Sequence, residues 1–421
     1  MKLGTRLRSV ALFEQLGPGL VTGAADDDPS GIATYSQAGA QFGFHLLWTM
    51  VLTYPLMAAI QLVSAHIGRV TGYGLAKNMG ELLPRGLVTS LVVLLFIANT
   101  INIGADLAAM GDGAELVLGG GAHLFTLLFA VASLLLQLFV PYRRYANFLK
   151  WITLTLLAYV ALLFMVDLKW SAVLSGLVIP RIDGRQAIIT LVAIFGTTIS
   201  PYLFFWQSAQ EVEEVIQDPN AEPLVEAPWQ ARREFRRMRI DTFAGMAVSN
   251  IVALCIMIGT AATLNAAGHS GIGTAADAAK ALEPVAGRFA FLLFALGIIG
   301  TGLLAVPVLA GSAAYAIGES RGWKCGLEHK PWEAVGFYTI IGLATLLGVG
   351  IDWSPLNPIK ALFYSAVING FVAVPIMAAM MLVVARGRAM GKFVARTRLL
   401  VLGWLATAIM GAAALAMVIM Q

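Results

Sequence analysis

An all-α integral membrane fold with about eleven transmembrane helices is predicted by three features of this sequence. These are its apolar composition, the recurrence of membrane-length apolar windows, and the one-sided placement of its cations. Of 421 residues, 58% are hydrophobic and only 12% are charged, with a mean hydropathy of +0.79. Soluble domains carry roughly twice that share of charge. A hydrocarbon core about 30 Å thick takes roughly 20 residues of helix to cross. Windows of that kind fall near 16–41, 44–68, 86–110, 122–140, 148–167, 185–211, 241–265, 287–317, 334–351, 361–385 and 399–420. No large soluble domain fits between them.

With a cytoplasmic amino terminus, all but six of the 28 Lys and Arg fall in inside loops. The six outside are Lys169, Arg181, Arg185, Lys280, Arg288 and Lys360. Inside lie the clusters around Arg6, Arg69, Arg143, Arg237, Arg321 and Arg388, as the positive-inside rule requires. The same asymmetry accounts for the pI of about 9.1 without a basic nucleic-acid recognition face, so a nucleic-acid partner is not expected and the lipid bilayer is. Cys255 and Cys325 have no metal-binding or redox spacing and read as packing residues. The stretch after the basic amino terminus holds Glu14, glycines and a proline, so no cleaved presequence is expected.

The first window is interrupted. Apolar sequence on both sides encloses Asp26-Asp27-Asp28-Pro29-Ser30-Gly31. An acid at membrane depth costs a few kcal/mol even on insertion scales, so a compensating role is expected. Pro29 lacks the N–H that would bond the carbonyl of Ala25, and Ser30-Gly31 lets the backbone leave the helix. A freed carbonyl beside carboxylates is an oxygen-rich setting of the kind hard divalent ions prefer. The sixth window repeats the device, with Gly196-Thr197-Thr198-Ile199-Ser200-Pro201 breaking an apolar run and Pro201 freeing the carbonyl of Thr197. Two broken spans, each opening a block of five, mark a transporter of two inverted five-helix repeats with its site at midmembrane. The bland alternatives are a solvated cap at Asp26 to Asp28 and an ordinary kink at Pro201.

These residues resemble the Nramp family of divalent-metal transporters, which carries Asp-Pro-Gly-Asn in the first helix and Ala-x-x-Met-Pro-His in the sixth. The likeness extends to Gly17-Pro18-Gly19, Gln37-Ala38-Gly39-Ala40, Arg69 to Ala76, Ala105-Asp106-Leu107-Ala108, Gly196 to Ala209 and Ser365 to Gly370. It implies the fold of the sodium-coupled amino-acid symporters. Repeat one would occupy 16–167, repeat two 185–385, and an eleventh helix 399–420. It also implies a divalent metal ion as substrate, no cofactor, and no enzymatic reaction. By the resemblance Asp28 is the metal-binding aspartate, and the carbonyls of Ala25 and Thr197 are backbone ligands.

The departures from the family pattern carry chemical content. Its asparagine falls on Gly31, its methionine on Ser200, its histidine on Tyr202, and the second acid of the third helix on Ala109. A thioether favours softer ions, whereas the Ser200 hydroxyl is a hard oxygen, so discrimination against Mg²⁺ should weaken. Asp26 and Asp27 add negative charge, and Mg²⁺ is commonly held by one or two carboxylates with part of its water retained. The pattern is similar to the Nramp-related magnesium and manganese branch. Mn²⁺ and Mg²⁺ are the expected ions, with Fe²⁺ a further candidate, and uptake is the direction the resemblance implies. Three consecutive acids cannot all face one side of a helix, so which of them meets the ion stays open.

With Tyr202 and Ala109 replacing two titratable groups, transport is expected to be uncoupled or weakly proton-coupled. Asp106 shares a polar stripe with Asn99 and Asn102, either a proton route or a hydrogen-bonded packing cluster. Asn250, Asn369 and Gln137 read as interhelical hydrogen-bond partners, Asn369 also as a residue that could line the path. The five histidines, His45, His66, His123, His269 and His329, show no zinc-site spacing. The loop from Gln217 to Arg237 reads as a solvated connector. Two rival functions are a transporter of small organic solutes on the same architecture, disfavoured by three aspartates at the break, and an intramembrane protease, disfavoured by the lack of Gly-x-Gly-Asp. A passive channel is a third.

Overall fold

A computed structural model describes residues 18–140, 154–269, 271–353 and 357–420. The basic amino terminus, the start of the fifth window and the cations Arg143, Arg144 and Lys150 lie outside the described residues. Within them every regular element is a helix. Nine helical stretches are long and apolar enough to cross a membrane. The broken first span and the shorter apolar stretch Leu154–Met165 bring the set to the eleven expected.

The first span comprises α1 (Pro18–Asp26) and α2 (Pro29–Phe42), and the second is α3 (Trp48–Thr71). A short helix α4 (Leu75–Leu82) leads into the third, α5 (Arg85–Leu118), and the fourth, α6 (Ala122–Phe139). The fifth includes α7 (Leu157–Met165), after which α8 (Trp170–Val178) is a short helix that the sequence reading did not contain. The sixth span is α9 (Gly184–Thr198) and α10 (Pro201–Gln217), and the seventh is α11 (Ala231–Thr260), finished by a π turn at Ala261–Asn265. Two short pieces, α12 (Ala275–Lys280) and α13 (Glu283–Ala286), precede α14 (Ala290–Arg321), α15 (Val335–Asp352) and α16 (Pro358–Val384). The short α17 (Gly387–Met390) and the last span, α18 (Thr397–Ile419), complete the chain.

Both breaks are narrower than the sequence suggested. Asp26 still belongs to α1, and Pro29, Ser30 and Gly31 already form the first turn of α2, so only Asp27 and Asp28 are non-helical. In the sixth span Gly196 to Thr198 remain helical and only Ile199 and Ser200 lie between α9 and α10. The reason is common to both: proline cannot continue the helix before it, but its fixed φ suits the first position of the helix after it.

The sixth span is the centre of the bundle, with 89% of its most apolar window buried against 22% for α6 and 28% for α18 at the periphery. Lipid tails are as apolar as leucine, so close backbone approach rather than hydrophobicity holds such helices together. Gly23 of α1 packs on Gly245 of α11, and Gly196 of α9 lies against the Ala366 carbonyl and Gly370 of α16, with no space for a methyl group at either site. These contacts bring the two breaks and α16 to a common level. Gly196→Val should therefore destabilise the bundle by more than about 3 kcal/mol, read as loss of monodisperse protein in detergent. A native-like elution profile and melting temperature for that variant would contradict this packing.

Candidate metal site at the broken helices

Asp28 is the N-cap of α2. Its backbone is extended (φ −71°, ψ 169°), and its Oδ1 accepts from the Gly31 N–H at 2.7 Å and from the Ser30 hydroxyl at 2.7 Å. The two donors tie down the start of a helix whose first N–H groups would otherwise be orphaned. Oδ2 points into the bundle. It accepts from Asn102 Nδ2 at 3.0 Å and lies 3.3 Å from the Tyr202 hydroxyl. That hydroxyl is also 3.3 Å from the Ala25 carbonyl, the group predicted to be freed by Pro29. Asn102 is held from behind, its Oδ1 accepting from the Ser365 hydroxyl at 2.6 Å. Residues from α1, α2, α5, α10 and α16 thus converge, and Ala25, Asp28, Asn102, Tyr202 and Ser365 are all 0–1% exposed.

The three aspartates diverge. Asp26 Oδ2 and Asp27 Oδ1 both meet the Ser249 hydroxyl of α11, at 2.6 and 3.0 Å, so one serine serves two carboxylates. Thr197 lies across the site, its hydroxyl beside Gly31. Ser200 turns its hydroxyl back to the Thr197 carbonyl at 2.8 Å and the Gly196 carbonyl at 2.9 Å. It closes the end of α9, and its hydrogen is not directed at Asp28.

The polar stripe of α5 divides by partner. Asn99 donates to the Leu309 carbonyl at 2.9 Å and lies 2.8 Å from the Ser312 hydroxyl of α14, whereas Asn102 serves Asp28. Both carboxylate oxygens of Asp106 are buried without a hydrogen-bond partner among the described residues, as are both polar atoms of the Asn369 side chain. Asn369 is therefore not the interhelical partner expected of it. Gln137 departs likewise, donating to Ser133 of its own helix at 3.2 Å. Asn250 does bridge helices, donating to the Met50 carbonyl at 3.2 Å.

A second polar assembly closes the end of the bundle nearest the 217–237 segment. Arg237 of α11 meets Glu211 and Glu214 of α10 at 2.5 and 3.0 Å and Glu234 at 3.0 Å, and Arg69 of α3 meets Glu234 at 3.1 Å. Glu211 also lies 3.4 Å from Gln207 Nε2, and Gln207 Oε1 accepts from Thr22 of α1 at 2.6 Å. The expected solvated connector is in fact partly folded in. Leu224 is fully buried, and the N–H groups of Leu224 and Val225 bond the carbonyls of Arg69 and Val70 at 3.2 and 3.1 Å. Three-residue spacing of Glu211 and Glu214 on α10 and of Glu234 and Arg237 on α11 brings the acids and Arg237 together, a tertiary fact that the mixed charge of the segment concealed.

Among the described residues no three His, Cys, Asp or Glu side chains converge in a way that could hold a metal ion. The candidate site is accordingly one carboxylate oxygen, Asp28 Oδ2, and the Ala25 carbonyl oxygen, with the Tyr202 hydroxyl touching both, an all-oxygen, hard environment. Ser249 was missed by the sequence reading because an isolated serine in an apolar helix has no distinguishing spacing. Ser365 lay within the quoted likeness but was not taken as a site residue. Ser249→Ala should cost about 1–3 kcal/mol by leaving two buried carboxylates without their shared donor, measured as a lower melting temperature in detergent. An unchanged melting temperature would show that Asp26 and Asp27 do not depend on it.

Known proteins resemble this chain both in sequence and in fold. The family model described as "Natural resistance-associated macrophage protein-like" (Nramp) matches residues 19–420. A Klebsiella pneumoniae protein named divalent metal cation transporter MntH is 27% identical over 401 residues, 94% of this chain and 91% of that relative. An Erwinia tasmaniensis protein of the same name is 27% identical over 301 residues, 70% of each chain. Among solved structures, the Eremococcus coleocola manganese transporter superposes with a TM-score of 0.73 at 17% identity, covering 96% of this chain and 85% of that one. Mhp1, a nucleobase-cation-symport-1 family transporter, gives a TM-score of 0.57 at 13% identity, covering 96% and 92%. The structural likenesses establish the fold, and the match over residues 19–420 establishes that this multi-pass membrane chain belongs to the Nramp family.

Proposed function

We propose that this protein carries divalent metal cations, Mn²⁺ and Mg²⁺ first among them and Fe²⁺ as a further candidate, across the plasma membrane by alternating access. The observation that carries this reading is Asp28: a fully buried carboxylate whose Oδ2 faces the bundle interior and shares the Tyr202 hydroxyl with the Ala25 carbonyl. A hard cation would gain one carboxylate oxygen and the Ala25 carbonyl oxygen there, the kind of partial donor set with which such ions keep part of their hydration water. The names borne by the Klebsiella and Erwinia relatives, and the manganese transporter that shares the fold, support the same substrate class. With Ser200 where the family pattern has a methionine, the thioether that would favour softer ions is missing, which favours tolerance of Mg²⁺.

With the amino terminus cytoplasmic, the assembly around Arg237 lies on the cytoplasmic side. It links α3, α10 and α11, and through Gln207 and Thr22 it reaches α1. Opening toward the cytoplasm requires these pairs to separate as repeat one (16–167) moves against repeat two (185–385), with 399–420 as the additional helix. Coupling to protons is weak or lacking, since Tyr202 contributes a neutral hydroxyl at the site where the family pattern has a histidine.

Proteoliposome uptake tests the reading. Mg²⁺ and Mn²⁺ should both enter through the native protein with internal pH flat, and Asp28→Ala should reduce entry at least 100-fold, roughly the loss of one buried charged ligand. Normal uptake by that variant would mean that the ion binds elsewhere. A separate expectation concerns the cytoplasmic closure. Arg237→Gln leaves Glu211 buried without its cation, so a cysteine placed at Thr22 in a background lacking Cys255 and Cys325 should react several-fold faster with a membrane-impermeant thiol reagent from the cytoplasmic side. An unchanged labelling rate would remove the Arg237 assembly from gating.

A further inference from the structure

The hydrogen bonds of Asp28 determine how it can meet an ion. Each carboxylate oxygen has two lone pairs. Those of Oδ1 are both engaged, by the Ser30 hydroxyl and the Gly31 N–H, each at 2.7 Å. Releasing either would uncap α2, so Asp28 offers an ion one oxygen, Oδ2. Two groups already address that oxygen, and they differ in kind. Asn102 Nδ2 is at 3.0 Å and is held from behind by Ser365 at 2.6 Å. The Tyr202 hydroxyl is 3.3 Å from Oδ2 and 3.3 Å from the Ala25 carbonyl. It has one hydrogen for two acceptors, at distances beyond the usual O–H···O range. The two oxygens it spans, one carboxylate and one helix-end carbonyl, are the pair a cation would span.

We propose that the Tyr202 hydroxyl is a displaceable competitor of the transported cation, its hydrogen and the ion contending for Ala25 O and Asp28 Oδ2, while Asn102 stays bound to Asp28 throughout. This deepens the metal-transport reading and rests on it. Asn102 leaves the second lone pair of Oδ2 available, so it and an ion can share that oxygen, but the Tyr202 hydrogen and an ion cannot share a lone pair. Tyr202 lies in the first turn of α10 and Ala25 in the last turn of α1. Return of the hydroxyl therefore helps expel the ion and re-joins the two broken helices. Tyr202 by this account lowers affinity and speeds release.

The test is Tyr202→Phe, which keeps the buried ring and removes only the competing hydrogen. Tyr202→Leu serves as a second variant lacking that hydrogen should the first not fold. Initial rates of Mn²⁺ and Mg²⁺ uptake into proteoliposomes give KM and kcat, and the rise in melting temperature with added Mn²⁺ or Mg²⁺ gives affinity without transport. The expected result is a KM and an apparent Kd lower by about three- to tenfold, the scale of one hydrogen bond, together with a lower kcat. A raised KM would overturn the proposal by making the hydroxyl a ligand, and unchanged KM and kcat would overturn it by making Tyr202 a bystander. If the native protein neither binds nor moves either ion, the metal-transport reading itself falls. That outcome is distinct from a native protein that transports and a variant that behaves like it.

Discussion

The need to keep one carboxylate, that of Asp28, stable in the middle of a membrane bundle governs the rest of the structure. A charged group at that depth persists only with fixed donors around it. Here the donors come from three helices, α2, α5 and α10, so the position of Asp28 dictates where those helices cross. The break in the first span is part of the same solution. An uninterrupted helix would direct its own N–H groups along its axis, whereas a helix that restarts at Pro29 offers its first N–H groups to the capping carboxylate.

From that point the packing follows. The second break must come close enough for Tyr202 to reach both Ala25 and Asp28, which sets α9 and α10 in the centre of the bundle. This is feasible because Gly196 and Gly370 let α9 and α16 approach to backbone contact. Close approach of α16 in turn delivers Ser365 to Asn102. Van der Waals contact between small residues and a hydrogen-bond chain through Asn102 are thus two parts of one arrangement, the first bringing the backbones close enough for the second to form.

Charge is sorted by depth and by face. Asp26 and Asp27 turn away from Asp28 to a serine of α11, which keeps three negative groups from crowding a single volume. Further along α10, Glu211 and Glu214 meet Arg237, with Arg69 completing a pattern of alternating sign. α1 and α10 are thus joined to α11 by polar contacts through Ser249 and Arg237, and α1 also by the close approach of Gly23 to Gly245.

Much of this was determined by the sequence alone. Eleven spans, their all-helical character and the two interruptions follow from local rules: apolar length against hydrocarbon thickness, and proline that cannot continue a helix. The freeing of the Ala25 carbonyl was legible for the same reason, because Pro29 acts on the residue four positions before it, whereas Asp28 was singled out from three acids only by the family resemblance. What the sequence could not decide is which groups distant in the chain meet. The separation of Asp26 and Asp27 from Asp28, the pairing of Asn102 with Ser365, the reach of Tyr202 and the burial of the Gln217 to Arg237 segment were decided by tertiary structure. Each depends on the rotation and crossing of helices, and in a chain this uniformly apolar neither carries a periodic signal strong enough to be read from one strand of sequence.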